Sequence, residues 1–209
     1  MPNSVWASDR LVYRAAEPED QAFLIEGRQI AASFVNVAPI LPVPQGSAGA
    51  ARSMQKLNEA LLGVIICLSE DEAVATGAAI KPETGSSSKK KLTPIGSLRL
   101  EPIEAKAVHH RETDIGIGLL PKYQGRGYGS EAILWAVEWA FLYANVHRMG
   151  IHCFEYNTGA LRLYQRLGFV VEGRKREGLW YKGRYWDEIH LSMLDREWHA
   201  RYGKEIDLP

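Results

Sequence analysis

The chain has 209 residues, enough for one sizeable domain with a well-buried core. Lysine plus arginine and aspartate plus glutamate each number 25, so the overall charge favours neither a nucleic acid nor a membrane surface as a partner. No apolar run approaches the roughly 18–20 residues of a membrane-spanning helix, and the N-terminus lacks a basic segment followed by an apolar core. We therefore expect a protein of the cytoplasm, with the nucleus as the alternative.

The two cysteines, Cys67 and Cys153, both lie in apolar runs that are typical of strands. Such surroundings favour buried, reduced thiols over a disulfide or a nucleophile. No group of histidines and cysteines has the spacing of metal ligands, so we expect no bound metal.

The first part of the chain combines a predicted strand with two predicted helices. Leu11–Arg14 is the strand, and a helix should run from about Glu17 to Gln29, because proline and acidic residues suit its first turn. Prolines among residues 30–49 forbid a long helix there. A second helix is predicted over Ala51–Leu62.

Residues 63–100 are predicted to be mainly extended. The run 63–68 is apolar and indicates a buried strand, with 74–80 as its hairpin partner or its continuation. Residues 95–100 form the next predicted strand. The tract 81–94 is rich in serine and lysine and cannot bury enough apolar surface to order itself, so we expect a flexible surface loop.

A glycine-rich turn between a predicted strand and a predicted helix is the most informative feature. The strand, 114–120, ends at Pro121, and residues 124–129 then read QGRGYG. Apolar side chains follow at helical spacing, at Ile133, Ala136, Val137, Ala140 and Phe141. Glycine allows positive φ and close approach of a ligand, and the unpaired N–H groups of a helix start attract anions. The turn predicts either a phosphate or pyrophosphate site or an ordinary turn before a helix.

The spacing of the glycines separates this turn from two other phosphate-binding loops. A P-loop closes with Gly-Lys-Ser/Thr, whereas Gly129 is followed directly by serine. A dinucleotide-binding loop has the spacing G-x-G-x-x-G, which is absent here. The pattern Q-x-x-G-x-G, made by Gln124, Gly127 and Gly129, resembles instead the acyl-CoA pyrophosphate loop of the GNAT N-acyltransferase superfamily.

A second block, about thirty residues further on, also resembles that superfamily. Residues 157–169 fit the pattern N-x-x-A-x-x-x-Y-x-x-x-G-F, in which Asn157 suits a helix N-cap and Gly168 a C-cap. Residues 178–194 are similar to the closing hairpin of the ribosomal-protein alanine N-acetyltransferase branch. The resemblance covers most of 9–198 and is weak over 30–94.

The resemblance implies an α/β (α+β) fold of the GNAT type. Its sheet is mixed but mostly antiparallel, with six to seven strands, splayed at the acetyl-CoA site and covered by helices on both faces. We expect one domain over residues 9–198, with a flexible insertion at about 81–94 and terminal tails at 1–8 and 199–209.

The implied activity is transfer of an acetyl group from acetyl-CoA to a primary amine, by direct attack in a ternary complex. The acceptor is left open among a protein N-terminus, a polyamine, an amino acid and another small amine. The chemistry needs a donor for the oxyanion, a base for the ammonium and an acid for the departing thiolate.

Carried over residue by residue, the resemblance implies main-chain bonds from Ile117, Gly118 and Leu119 to the pantetheine arm. The Leu119 N–H would face the acetyl oxygen. The N–H groups that would hold the pyrophosphate are those of Gly125, Arg126, Gly127, Tyr128 and Gly129. The side chains of Arg126 and Lys122 either add charge there or are merely solvated.

For two residues of the second block, the resemblance implies a role in binding or catalysis, whereas their spacing in the sequence indicates a purely structural role. Asn157 would bond the pantetheine arm, or it only caps a helix. Tyr164 would protonate the departing thiolate, because a tyrosine with a pKa of about 10 carries its proton at neutral pH, or it is only a core aromatic.

The general base is left open by the sequence. Glu101 and Asp114, at the ends of neighbouring predicted strands, are the candidates, each acting through a water molecule. His109 and His110 titrate in a suitable range but lie in a segment that is typical of a solvated loop.

Aromatic side chains mark two further surfaces. Trp135, Trp139 and Leu142 form a second apolar stripe on the long helix, which predicts cover from another segment or subunit. A second group near the last hairpin would line the acceptor pocket or the contact of a homodimer, and consists of Trp180, Tyr181, Tyr185 and Trp186.

Three rival interpretations stay open. The first is a catalytically silent domain that binds CoA or regulates another activity. The second is an acetyltransferase for a hydroxyl group or an antibiotic amine, and the third is a nucleotide-binding module without acyl transfer.

Overall fold

The computed structural model describes residues 4–30, 36, 41, 43–44, 46–79 and 92–203. The loop predicted at 81–94 therefore lies largely outside the described residues, and its last residue, Pro94, already begins a strand. The proline-containing segment 30–49 is described only in part.

Seven strands form one sheet, in agreement with the mixed, mostly antiparallel sheet that the sequence predicts. The strands are β1 Leu11–Arg14, β2 Leu62–Leu68, β3 Pro94–Leu100, β4 Glu112–Leu119, β5 Arg148–Phe154, β6 Val170–Tyr181 and β7 Arg184–Leu194. Their order is β1-β2-β3-β4-β5-β7-β6. Every neighbouring pair is antiparallel except β4 and β5, which are parallel.

Helices cover both faces of this sheet. They are α1 Gln21–Gln29, α2 Ser47–Asn58, α3 Glu70–Ala75, α4 Tyr128–Leu142, α5 Thr158–Arg166 and α6 Asp195–Tyr202. The main core lies between the sheet and α4 and α5, and a smaller cluster joins Leu24 of α1 and Leu57 of α2 to Ile65 and Cys67 of β2. Strand β2 is therefore buried on both faces, which explains its uninterrupted apolar sequence.

The prediction of an extended segment at 74–80 is wrong over its first residues, which belong to α3. Ser69 caps this helix by accepting a hydrogen bond from the N–H of Glu72, and three acidic residues occupy the first turn. These start signals, rather than the β-branched Val74, decide the local structure. The second helix also differs from its prediction, because Leu62 pairs with Leu100 in the sheet.

Both cysteines are buried free thiols, as the sequence predicts. Burial raises the pKa of Cys67 and of Cys153 to about 11. Neither thiol is therefore a ready nucleophile at neutral pH.

Residues near both ends of the described chain pack against the rest of the domain. Tyr13 stacks on Trp135 with ring centroids 3.6 Å apart, and the Trp135 indole donates a 2.9 Å hydrogen bond to the carbonyl of Val5. The N-terminal segment thus covers part of the second apolar stripe of α4. At the other end, the Tyr202 hydroxyl donates to the carbonyl of Leu167 at 3.0 Å.

We expect Gly63→Ala to destabilise the fold by about 1–3 kcal/mol, the range seen when atoms are forced into a packed core. A Cβ at Gly63 would overlap the carbonyl of Leu57, which belongs to the backbone and cannot rotate away. Urea denaturation would measure the loss. Gly173→Ala is the matched control, since a Cβ there meets nothing within 4 Å, and equal stability of the two variants would contradict the prediction.

Candidate functional site

The central feature of the site is an incomplete pairing between the parallel strands β4 and β5. The two strands pair only from Glu112 to Asp114, opposite Arg148 to Gly150, and no pairing continues beyond that point. Strand β4 nevertheless stays paired with β3 along to Leu119. One edge of β4 is therefore open over residues 115–119.

The hydrogen-bond pattern shows which peptide groups face this opening. The N–H of Leu120 donates to Ile95, and the carbonyl of Asp114 accepts from Glu101, so even-numbered residues of β4 face β3. Because main-chain polar groups alternate sides along a strand, those of Ile115, Ile117 and Leu119 face the opening. Of the two Leu119 groups on the open side, the carbonyl accepts a hydrogen bond from the Gln124 side chain at 2.8 Å. The Leu119 N–H is then the group left for a ligand.

Gly118 requires a correction. Its carbonyl lies so close to Gly96 of β3 that a Cβ on Gly96 would overlap it. The peptide of Gly118 therefore faces β3 and is not placed to bond a molecule in the opening. Ile117 and Leu119 keep that placement.

The glycine-rich turn connects the open end of β4 to α4. A short 3₁₀ turn at Pro121–Tyr123 precedes it, and Gly125 and Gly127 have positive φ values of 72° and 87°. Among the described residues no acceptor lies within hydrogen-bond reach of the N–H groups of 125–127. Gly127 is the N-cap of α4 and provides no side chain of its own, so the amides of the turn remain exposed.

Tyr128 and Gly129 begin α4, and their side-chain positions face the protein. The Tyr128 ring is buried and its hydroxyl donates to Glu72, so only its main chain is available to a ligand. A Cβ on Gly129 would lie 3.7 Å from Leu119 and 3.8 Å from Leu163 of α5. The open end of β4, the start of α4 and the helix α5 therefore meet at one place.

The second sequence block supplies Asn157 and Tyr164 on the α5 side. The Asn157 side-chain oxygen accepts from the N–H of Ala160 at 3.2 Å, so its role as a cap is confirmed, and its NH₂ group is left for another partner. Tyr164 is buried, and its hydroxyl has no hydrogen-bond partner among the described residues. Burial raises the pKa of Tyr164 above its ordinary value, with a smaller contribution from Cys153, which keeps the phenol protonated.

The two candidate bases have different surroundings. Glu101 accepts hydrogen bonds from Arg99, with the closest nitrogen 2.6 Å away. Asp114 lies where β4 and β5 separate, and its Oδ1 occupies the space that a side chain on Gly150 would need. Desolvation raises the pKa of Asp114 despite an opposing effect of His152, and the nearby carboxylates of Glu112 and Glu101 raise it further.

Several polar residues on the same face as Asp114 were missed by the sequence analysis. His152 of β5 pairs directly with His190 of β7, and the Glu188 carboxylate lies 3.9 and 3.6 Å from their respective Nε2 atoms. Strand alternation alone places these side chains away from the core, but their proximity depends on which strands are neighbours. His109 and His110 lie elsewhere, on an exposed 3₁₀ turn.

The profile of the acetyltransferase (GNAT) family matches residues 55–169, which span the open strand pair, the glycine-rich turn and the second block. The chain belongs to this GNAT family. The prediction of the superfamily from the two sequence blocks is therefore confirmed.

Individual relatives agree with this assignment. The GNAT chain is 32% identical over 92 residues to a spermidine N(1)-acetyltransferase of Vibrio cholerae. The aligned segment covers 44% of this chain and 53% of that protein. It is 29% identical over 91 residues to a putative ribosomal N-acetyltransferase of Bacillus subtilis, and this alignment covers 44% of this chain and 50% of that protein. The matched part thus spans about half the length of these curated relatives, and the relatives do not single out the ribosomal branch.

Solved structures show the same GNAT fold over nearly the whole chain. A spermidine N-acetyltransferase from Vibrio cholerae, in complex with CoA and spermine, superposes with a TM-score of 0.69. The match covers 91% of this chain and 99% of the other at 22% identity. The prediction of a splayed GNAT sheet with helices on both faces is therefore confirmed.

Within the described ranges, no three histidine, cysteine, aspartate or glutamate side chains are arranged to hold a metal ion. None of the helices described is both long and apolar enough to cross a bilayer.

Proposed function

We propose that this GNAT protein is an N-acetyltransferase that transfers an acetyl group from acetyl-CoA to a primary amine in a ternary complex. One observation carries the proposal: the strand edge left open after Asp114 leads directly to the exposed amides of 125–129. An extended arm that joins a diphosphate to a thioester fits this continuous line of main-chain donors. The single domain at 9–198, the homodimer and the cytoplasmic location remain predictions.

The open edge of β4 is suited to a flexible amide-containing arm. The peptide groups of Ile117 and Leu119 would pair with the pantetheine amides as a neighbouring strand would. The diphosphate would lie against the N–H groups of 125–129, which also sit at the positive end of α4. Asn157 would donate its free NH₂ hydrogens to the arm.

The reaction itself requires stabilisation of charge at two atoms. The amine attacks the thioester carbon, and the Leu119 N–H would donate to the oxyanion that forms. Loss of one such donor typically costs about 10²–10³-fold in rate. The electron pair of the breaking carbon–sulfur bond goes to sulfur, and the Tyr164 hydroxyl would supply its proton.

We assign the general base to Asp114 rather than Glu101. Arg99 already donates to the Glu101 carboxylate, whereas the Asp114 side chain has no hydrogen-bond donor among the described residues. Asp114 also lies where the two strands separate, at the end of the open edge that is away from the glycine-rich turn. Its raised pKa makes it a better proton acceptor than an ordinary aspartate, and it would act through water.

We expect Asp114→Asn to lower kcat/KM about 100-fold at neutral pH, the usual scale of general-base catalysis. An aspartate accepts a proton only when ionised, so the contribution of Asp114 is present above its raised pKa and is lost as the pH falls through it. The titration of the amine affects wild type and variant equally, so the ratio of their pH–rate profiles isolates Asp114. Glu101→Gln is the control, and a wild-type profile for Asp114→Asn would contradict the assignment.

The acceptor belongs to the class of primary amines, with polyamines suggested by the spermidine acetyltransferase relatives and protein N-termini by the resemblance of the closing hairpin to the ribosomal-protein branch. The decisive experiment combines calorimetry with CoA, ATP and NAD and a thiol-release assay. The assay would use spermidine, spermine, an amino acid and peptides with N-terminal alanine. Heat with CoA together with thiol release for one amine supports the proposal. Heat with CoA but no thiol release for any amine would favour a silent CoA-binding domain. Heat only with ATP or NAD would favour a nucleotide-binding module.

A further inference from the structure

Arg10, which directly precedes β1, joins the N-terminal segment to the glycine-rich turn. Its guanidinium donates to Glu131 through Nε at 2.9 Å, and Nη2 lies 2.8 Å from the same oxygen, Oε2. The Arg10 main-chain N–H donates to the other oxygen at 2.7 Å. The remaining nitrogen, Nη1, donates to the carbonyl of Arg126 at 3.0 Å. One side chain therefore contacts both the turn and the first turn of α4.

The bond to Arg126 determines the direction of an amide in the turn. None of the described peptide bonds is cis, so the carbonyl of Arg126 and the N–H of Gly127 point in opposite directions across one plane. Because Arg10 holds the carbonyl on its own side, the Gly127 N–H is directed to the opposite side. Nη2 lies 3.1 Å from the position of a Cβ on Gly127, so the arginine covers that side.

The contact with Glu131 has an electrostatic consequence. The Glu131 side chain is only 14% exposed and lies in the first turn of α4, where an acid stabilises the helix. An uncompensated carboxylate at this position would also repel a diphosphate bound at the same helix start. Arg10 neutralises this charge directly.

We propose that Arg10 is a positioning residue for the diphosphate of acetyl-CoA, acting through the Arg126–Gly127 peptide and by neutralising Glu131. The inference rests on the proposed function, since it concerns the same cosubstrate. Arg10 itself lies behind the turn, on the side away from the directed amide.

The test compares donors with and without the diphosphate. For Arg10→Gln we expect the Kd for CoA and the KM for acetyl-CoA to rise about 10-fold, the scale of a lost charged hydrogen bond, with kcat within about twofold of wild type. With acetyl-pantetheine, which lacks the diphosphate, we expect the same kcat/KM for variant and wild type. A loss of equal size with both donors would overturn the inference, because it would indicate general disruption of the fold.

Charge variants separate the two parts of the effect. Glu131→Gln alone should not weaken CoA binding, and adding it to Arg10→Gln should restore part of the affinity, because the repelling carboxylate is then absent. Arg14→Gln is the matched control: Arg14 is at the other end of β1 and pairs with Asp20 at 2.7 Å, away from the turn. Unchanged CoA affinity in Arg10→Gln would overturn the inference, whereas a wild-type protein that does not bind CoA would overturn the proposed function itself.

Discussion

Tyr164→Phe is expected to lower kcat about 100-fold while the Kd for CoA stays within about twofold of wild type. The phenol is buried, carries its proton throughout the neutral range and has no hydrogen-bond partner among the described residues. A buried, unpartnered hydroxyl costs free energy in folding, so its presence is better explained by a partner that arrives with the substrate. In the proposed reaction the departing thiolate of CoA would be such a partner.

The same substitution makes a second prediction about stability. Removing a hydroxyl that is buried without a partner should leave the free energy of unfolding equal or slightly higher. Thermal unfolding and steady-state kinetics on one preparation would therefore show lower turnover without loss of stability. Tyr202→Phe is the control, since that hydroxyl bonds the carbonyl at the far end of α5. Wild-type turnover in Tyr164→Phe would reject the acid role.

Gly127→Val is expected to weaken CoA binding by about 100-fold, because it removes the backbone conformation on which the amide array depends. Gly127 has a φ of 87°, which a β-branched residue adopts only with strain of about 1–3 kcal/mol. The added side chain would also crowd the Arg10 guanidinium, 3.1 Å from the Cβ position. The turn should relax away from the conformation that exposes its N–H groups.

Calorimetry with CoA would measure the loss, and circular dichroism would show that the variant is folded. Gly173→Val is the control, because that glycine lies in open space and has no positive φ. If folded Gly127→Val bound CoA as tightly as wild type, the amides of 125–129 would not be the diphosphate site.

Local sequence patterns predicted most elements of the fold and of the candidate site. The glycine-rich turn, the start of α4 and the cap at Asn157 follow from the backbone preferences of a few adjacent residues. The same reasoning failed at 74–80, where the capping serine and the acids of α3 outweighed a β-branched residue. The family resemblance, in turn, placed Gly118 among the groups facing the cosubstrate, whereas the side on which a peptide group lies depends on the register with β3.

By itself the sequence determined the superfamily and the glycine-rich turn, because these depend on spacings within one segment, and its resemblance to the superfamily names the residues proposed to hold or protonate coenzyme A. Only the tertiary structure decided where β4 and β5 separate, which of Glu101 and Asp114 has its carboxylate already bonded, and that Arg10 contacts Glu131 and the turn. Those features join residues that are distant in the chain. Their contacts arise from strand order and register, which the packing of the whole core determines.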